Sequence, residues 1–197
     1  MNFVSKSSLL SLALVCGTAM ATNFSGPEAG VSVTMNGASI MADYKDSNNY
    51  DGNYGQQSMG VKLHGGYGFD MGNDTVVLVG LGYNPTEIKS GSLENSTFKI
   101  KNSWSLSVAP GMMLNDHSLA YVKLSYEAGK LNIKGTNSSD SYSISGFGYG
   151  VGLRTEINKT IFLETEIKQV NYKKFTDDGD NATPSATVGS VGVVFKF

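Results

Sequence analysis

From about residue 30 onward the chain alternates apolar and polar positions with a period of two, the signature of strands that show different faces to different surroundings. Eight such stretches lie near 30–42, 57–69, 75–85, 97–113, 119–130, 142–157, 161–171 and 187–197. Polar segments rich in Gly, Asn, Asp and Ser separate them. No stretch beyond the first residues has a helical period. One face of each strand carries no charge, as in Val31, Val33, Met35 and Met41 of the first, Val77, Val79, Leu81 and Tyr83 of the third, or Phe147, Tyr149, Val151 and Leu153 of the sixth. The other face carries Lys62, His64, Lys101, Lys123, Glu127, Arg154, Glu156, Glu164, Glu166, Lys168 and Lys196. Mixed charges on one face of strand after strand cannot line an apolar core. Either the apolar faces point into a soluble barrel, or they point out into lipid and the charges fill the interior.

Glycine favours the second arrangement. Gly146, Gly148, Gly150 and Gly152 occupy the charged register of the sixth strand and leave space for long Lys, Arg and Glu side chains. Pro110-Gly111 predicts a bulge in the fourth strand, because proline brings the ladder no N–H. The connections alternate: 70–74, 114–118 and 158–160 are short, whereas 43–56, 86–96, 131–141 and 172–186 are long and polar. Short turns on one side of a membrane and long loops on the other fit an all-β, eight-stranded antiparallel up-and-down transmembrane β-barrel. Tyr67, Phe69, Phe195 and Phe197 would then form one interfacial girdle, and Tyr83, Trp104, Tyr126 and Tyr142 the other.

The N-terminus adds a compartment. Lys6, the apolar run Leu9–Val15 and the small residues at Ala19 and Ala21 read as a secretory signal peptide over 1–21, leaving a barrel domain over 22–197. The run is too short for a spanning helix. Cys16 is the single cysteine and falls in the signal, so neither a disulfide nor thiol chemistry is expected. Fifteen basic against 17 acidic residues give no basic surface for nucleic acid.

The ending Val191, Val193, Phe195, Phe197 resembles the assembly signal of bacterial outer-membrane barrels. The whole chain after the signal resembles the Ail/OmpX family of small outer-membrane barrels. The likeness is strongest in Gly146-Phe147-Gly148-Tyr149-Gly150-Val151-Gly152-Leu153, the turn at Asn158, the strand through Glu164 and Glu166, and the final Gly192–Phe197. The segment Gly60-Val61-Lys62-Leu63-His64-Gly65 departs from that family, lacking its Asn and Tyr/Arg-rich run. The resemblance implies a Gram-negative outer-membrane location, contact with outer-membrane lipid and lipopolysaccharide, and recognition of the last strand by the barrel-assembly machinery. It also implies a host-facing role such as adhesion or envelope defence, with a host surface or matrix protein as partner and the barrel acting as a monomer.

Candidate chemistry is sparse. The interior charges Lys62, Lys101, Lys123, Glu127, Arg154, Glu156, Glu164, Glu166 and Lys168 read as a salt-bridged plug, with a narrow ion path as the alternative. A lipid A-modifying enzyme would need a His and a Ser two apart with an acid nearby, or an open apolar interior. Neither His64 nor His117 meets the first condition, and the charges oppose the second. No metal or cofactor site is expected, since Asp177-Asp178-Gly179-Asp180-Asn181 lacks the spacing of a calcium loop. Binding is left to the loops, where Tyr44, Tyr50, Tyr54, Tyr172 and Phe175 supply aromatic contacts. N-terminal sequencing of protein extracted from outer membranes is expected to begin at Thr22. A sequence starting upstream of residue 21 would remove the signal-peptide assignment.

Overall fold

A computed structural model describes residues 22–43, 52–93, 96–134, 139–177 and 180–197. They form ten antiparallel strands: β1 (Gly26–Asp43), β2 (Gly52–Gly72), β3 (Thr75–Asn84), β4 (Ile88–Leu93), β5 (Ser96–Asn115), β6 (Ser118–Lys134), β7 (Ser139–Asn158), β8 (Ile161–Tyr172), β9 (Phe175–Asp177) and β10 (Asp180–Lys196). The pairing order β1-β2-β3-β5-β6-β7-β8-β10 closes through β1–β10, a ring of eight. The other two are continuations. β4 carries on from β3 past residues 85–87 and pairs with β5, and β9 carries on from β8 and pairs with β10.

Closure is complete over the seam, from Glu28↔Lys196 to Asp43↔Asn181. A closed ladder leaves no backbone edge to be satisfied by lipid, which is why a barrel can span a bilayer. The two ends differ as the connection lengths suggest. Two-residue turns at 73–74, 116–117 and 159–160 close one end. Asn73 and Asp74 both have positive φ, the primed turn that matches strand twist. We call this the periplasmic end, and the opposite one extracellular.

At the extracellular end the segments 43–56, 86–96, 131–141 and 172–186, read from sequence as loops, are largely strand. Pairing continues to Asp43, resumes at Gly52, runs through β4 and reaches Lys134 before resuming at Ser139. Backbone pairing needs no apolar side chain, so the ladder extends past the level where alternation stops. Residues 1–21, and with them the predicted signal, lie outside the described residues, as do Tyr44 and Tyr50.

Pro110 makes no bulge. It pairs in register with Val77 of β3, while the β5–β6 pairing steps from Val108 to Gly111, so the missing N–H falls on that side. The register shifts of β5 lie at Lys101/Trp104 and Met113/Asn115 instead. The first is enabled by Asn102, whose φ of 48° is a conformation asparagine tolerates. At the β7–β8 turn, Asn158 rather than Ile157 opposes Ile161. The Asn158 side chain accepts hydrogen bonds from the Thr160 N–H and hydroxyl, which draws Asn158 into the turn and bulges Ile157 outward.

The outward faces are apolar. Val33, Leu81, Val122, Phe147, Val151, Ile167 and Val191 are exposed, and Phe197 is 79% exposed. Tyr67 and Phe69 pack with centroids 4.8 Å apart in the lower girdle, and Trp104, Tyr126 and Phe147 form a chain of contacts at 5.8 Å in the upper one. Tyr142 does not join it. It pairs with buried Leu131, in the inward register of β7.

Glycine places the strands close on the inside. A Cβ on Gly150 would lie 2.4 Å from the Ile167 carbonyl oxygen and 2.9 Å from Lys168 Cα, whereas one on Gly189 meets nothing within 4 Å. Gly150→Val is expected to destabilise the barrel by about 1–3 kcal/mol through overpacking. Gly189→Val should leave the urea unfolding midpoint in lipid bilayers unchanged. Equal midpoints for both variants would show that the interior has slack.

Candidate functional site

Along each strand the inward register changes character twice. On β8 it runs Phe162, then Glu164, Glu166 and Lys168, then Val170 and Tyr172, all buried. On β6 it runs Leu119 and Tyr121, then Lys123, Ser125 and Glu127, then Leu131. The interior is therefore three layers. An apolar periplasmic layer holds Phe24, Val76, Leu78, Leu119, Phe162 and Val194. An apolar extracellular layer holds Ile40, Ile88, Ile100, Leu131, Ile144 and Tyr172. Charges lie between.

Four cations and four carboxylates balance in that middle layer. Arg154 donates from Nη1 to Glu28 at 2.5 Å and from Nη2 to Glu164 at 2.6 Å. Lys168 pairs with Glu127 at 2.6 Å, and Ser125 also donates to Glu127, at 2.7 Å. Glu166 receives Lys123, Lys62 at 3.6 Å and the Tyr121 hydroxyl at 3.1 Å. Buried charges persist only with such partners. His64 also faces the layer, 3.7 Å from Glu164, and both its ring nitrogens lack a hydrogen-bond partner. It lines a cavity of about 30 Å³, room for about one water; a second cavity nearer the extracellular layer is about 10 Å³.

Of the nine charges read from sequence as an interior network, Lys62, Lys123, Glu127, Arg154, Glu164, Glu166 and Lys168 meet in this layer. Glu156 lies inside at the periplasmic rim, accepting from Asn23 Nδ2 at 2.8 Å and 3.1 Å from His117 Nδ1. Lys101 does not belong. The bulge at Asn102 inverts the register of β5, so Phe98 and Ile100 turn inward and Lys99 and Lys101 outward. Both lysines pair with Glu87, Lys99 at 2.9 Å. The Glu87 carboxyl is held down at about 2, first by the hydrogen bond from Lys101 and then by that from Lys99. Glu28, absent from the sequence reading, lies on β1 before the stretch recognised there, though it shares the inward register of Ser32 and Thr34.

The loop aromatics divide. Tyr172 is buried in the extracellular apolar layer, because its register continues that of Val170, and so presents no binding surface. Tyr54 is half-buried, and its backbone and Cβ lie 3.1 Å from where a Cβ on Gly91 would be. The Phe175 side chain lies outside the described residues. Val191, Phe195 and Phe197 point outward and Val193 is half-buried; the Phe197 N–H donates to the Pro27 carbonyl at 3.1 Å. Among the described residues no three His, Cys, Asp or Glu side chains come together as a metal site.

Arg154→Met would strand the Glu28 and Glu164 carboxylates and is expected to cost about 3–5 kcal/mol in bilayer urea unfolding. Replacing all three, Glu28→Leu, Arg154→Met and Glu164→Leu, should recover most of that loss. Lys101→Met should leave the midpoint in place. A loss for Lys101→Met as large as for Arg154→Met would place Lys101 in the interior after all.

The comparisons with known proteins agree with this geometry. The family model described as the outer membrane protein beta-barrel domain matches residues 7–197. No curated protein sequence matches the chain. Among solved structures, Ail, the attachment invasion locus protein of Yersinia pestis, aligns at 17% identity over 87% of this chain and 99% of its own, with a TM-score of 0.50. Neisserial surface protein A aligns at 15% identity over 86% of this chain and 97% of its own, with a TM-score of 0.59. The outer membrane protein AlkL, solved in lipid bilayers, aligns at 13% identity over 100% and 96%, with a TM-score of 0.57. At such identities the likeness is one of fold. The chain thus belongs to the outer membrane protein beta-barrel domain family, as one of its small Ail/OmpX-like barrels in the Gram-negative outer membrane.

Proposed function

We propose that this barrel is a non-catalytic surface protein that recognises host molecules through its extracellular end. The observation that carries this reading is the filled interior. Two apolar layers cap a charge-balanced one, and the two cavities there have room for about one water each at most. A channel needs a continuous wet path, and a barrel of this width has its lumen occupied by side chains. Activity is then left to the outside, and the strands prolong the barrel above the upper girdle into a paired platform for the connecting segments. Ail has been solved with the heparin analogue sucrose octasulfate, which supports a host-glycan or matrix ligand for this chain too. In the same reading residues 1–21 direct export, the β10 strand ending at Phe197 is recognised by the assembly machinery, and the barrel works as a monomer.

Replacing residues 44–51 and 135–138 by two-residue Asn-Gly turns should abolish binding to host cells and matrix proteins. The heat-dependent gel mobility of the folded barrel should persist, because the ladder below does not depend on these segments. Lys62→Met should alter stability and leave binding intact. Binding that survives both replacements would overturn the reading, and bilayer conductance that changes with Lys62→Met would restore the ion path.

A further inference from the structure

The outer wall of the extracellular extension is strongly basic on one side. Above the bulge, β5 turns Lys99 and Lys101 outward. Lys89 of β4 pairs directly with Lys99, and Lys130 of β6 directly with Lys101. Lys134 stands four residues further along β6. Like charges directly opposite one another in a ladder destabilise it, and this wall has two such pairs side by side. Its single acidic partner among the described residues is Glu87, which engages Lys99 and Lys101. Lys89, Lys130 and Lys134 form no ion pair among the described residues. Asp140, the nearest acid on β7, pairs with Ile133 in the inward register. Five lysines against Glu87 leave four positive charges here, on a chain whose net charge is −2.

Height fixes what these charges face. Trp104 pairs with Ala128, and Lys130 lies two residues beyond it, roughly 7 Å along the strand. Trp and Tyr mark the headgroup level of a membrane, so the lysines begin at that level and rise above it. Beneath them the lipid-facing surface is grooved. A cleft of about 520 Å³ runs between Val79, Leu106, Val108, Leu124 and Phe147. Tyr126 lines its upper end and is shared with a second cleft of about 370 Å³ lined by Trp104, Lys130, Ser143 and Ser145. An apolar groove, an aromatic step, a polar pocket and a bank of lysines therefore follow one another upward on one wall.

We infer that this wall binds a phosphorylated glycolipid of the outer leaflet. An acyl chain lies in the lower groove, its sugar rests against Trp104 and Tyr126 beside the Ser143 and Ser145 hydroxyls, and its phosphates are held by Lys130, Lys89 and Lys134. Lysine suits this role as a point charge that needs no planar partner. The site is separate from the connecting segments proposed above for host recognition and does not depend on that reading.

Trp104 is the single tryptophan of the chain and lines the site, so its fluorescence reports binding directly. The purified barrel in neutral phosphatidylcholine nanodiscs is titrated with bisphosphorylated lipid A. The variant K89Q/K130Q/K134Q, which spares the lysines paired to Glu87, should bind roughly a hundredfold more weakly. It should also lose most of the dependence on salt. Wild-type protein titrated with fully dephosphorylated lipid A should fall to the level of the variant, an arm that stands even if the variant does not fold. Unchanged affinity in the folded variant, judged by heat-dependent mobility, would overturn the inference. So would equal binding of phosphorylated and dephosphorylated lipid A. Binding of soluble heparin at these lysines without any response to lipid A would overturn it as well and assign the wall to a sulfated glycan.

Discussion

Everything in this molecule follows from the pairing of β1 with β10. In lipid, each backbone N–H and C=O needs a partner within the protein, and only a closed ladder supplies them all. The seam runs unbroken from Glu28↔Lys196 to Asp43↔Asn181. Closing eight strands fixes the width of the lumen, and that width admits side chains and little else. The inward register must then fill the space without clash. β7 does so by omission: its run of glycines leaves the volume that Lys168, Glu166 and Tyr121 occupy from neighbouring strands.

A filled lumen could have been apolar throughout. Instead its centre is ionic, and the pairs join strands that share no backbone hydrogen bonds. Arg154 of β7 reaches Glu28 of β1, and Lys62 of β2 reaches Glu166 of β8. Such pairs offset their own desolvation only when each partner is present, so they penalise a slipped register more than they reward the correct one. A one-residue slip would carry Arg154 or Glu166 toward lipid. Apolar caps above and below keep bulk water from this layer and strengthen its electrostatics. His64 is the exception: it is enclosed with the charges yet lacks a hydrogen-bond partner, beside the cavity that has room for one water.

The alternation of strands such as β8 is read directly from sequence, since Phe162 to Tyr172 keeps one parity throughout. The eight-strand ring, the turn end and the lipid-facing residues follow from that alone. Parity stops being informative where a single residue resets it. Asn102 inverts β5, and nothing in Lys99-Ile100-Lys101-Asn102 says that the isoleucine rather than the lysines turns inward. The same event hid the extracellular apolar layer, half of whose members fall in segments polar enough to be taken for loops. Glu28 was hidden because Pro27 and Gly26 precede it and read as a connection, although both pair with β2.

That one bulge also separates the two uses of charge in this protein. Had β5 kept its register, Lys99 and Lys101 would point into the lumen, where the middle layer already balances four cations against four carboxylates. Two further cations would have had no partner there. Turned outward, they stand beside Lys89 and Lys130 at the height where the Trp104 and Tyr126 rings place the membrane surface. The same residue type thus serves opposite ends on either side of the wall. Inside, each lysine is matched by a carboxylate and specifies register. Outside, the lysines outnumber their carboxylate partner, and the surplus positive charge is available only to something the bilayer or the medium supplies.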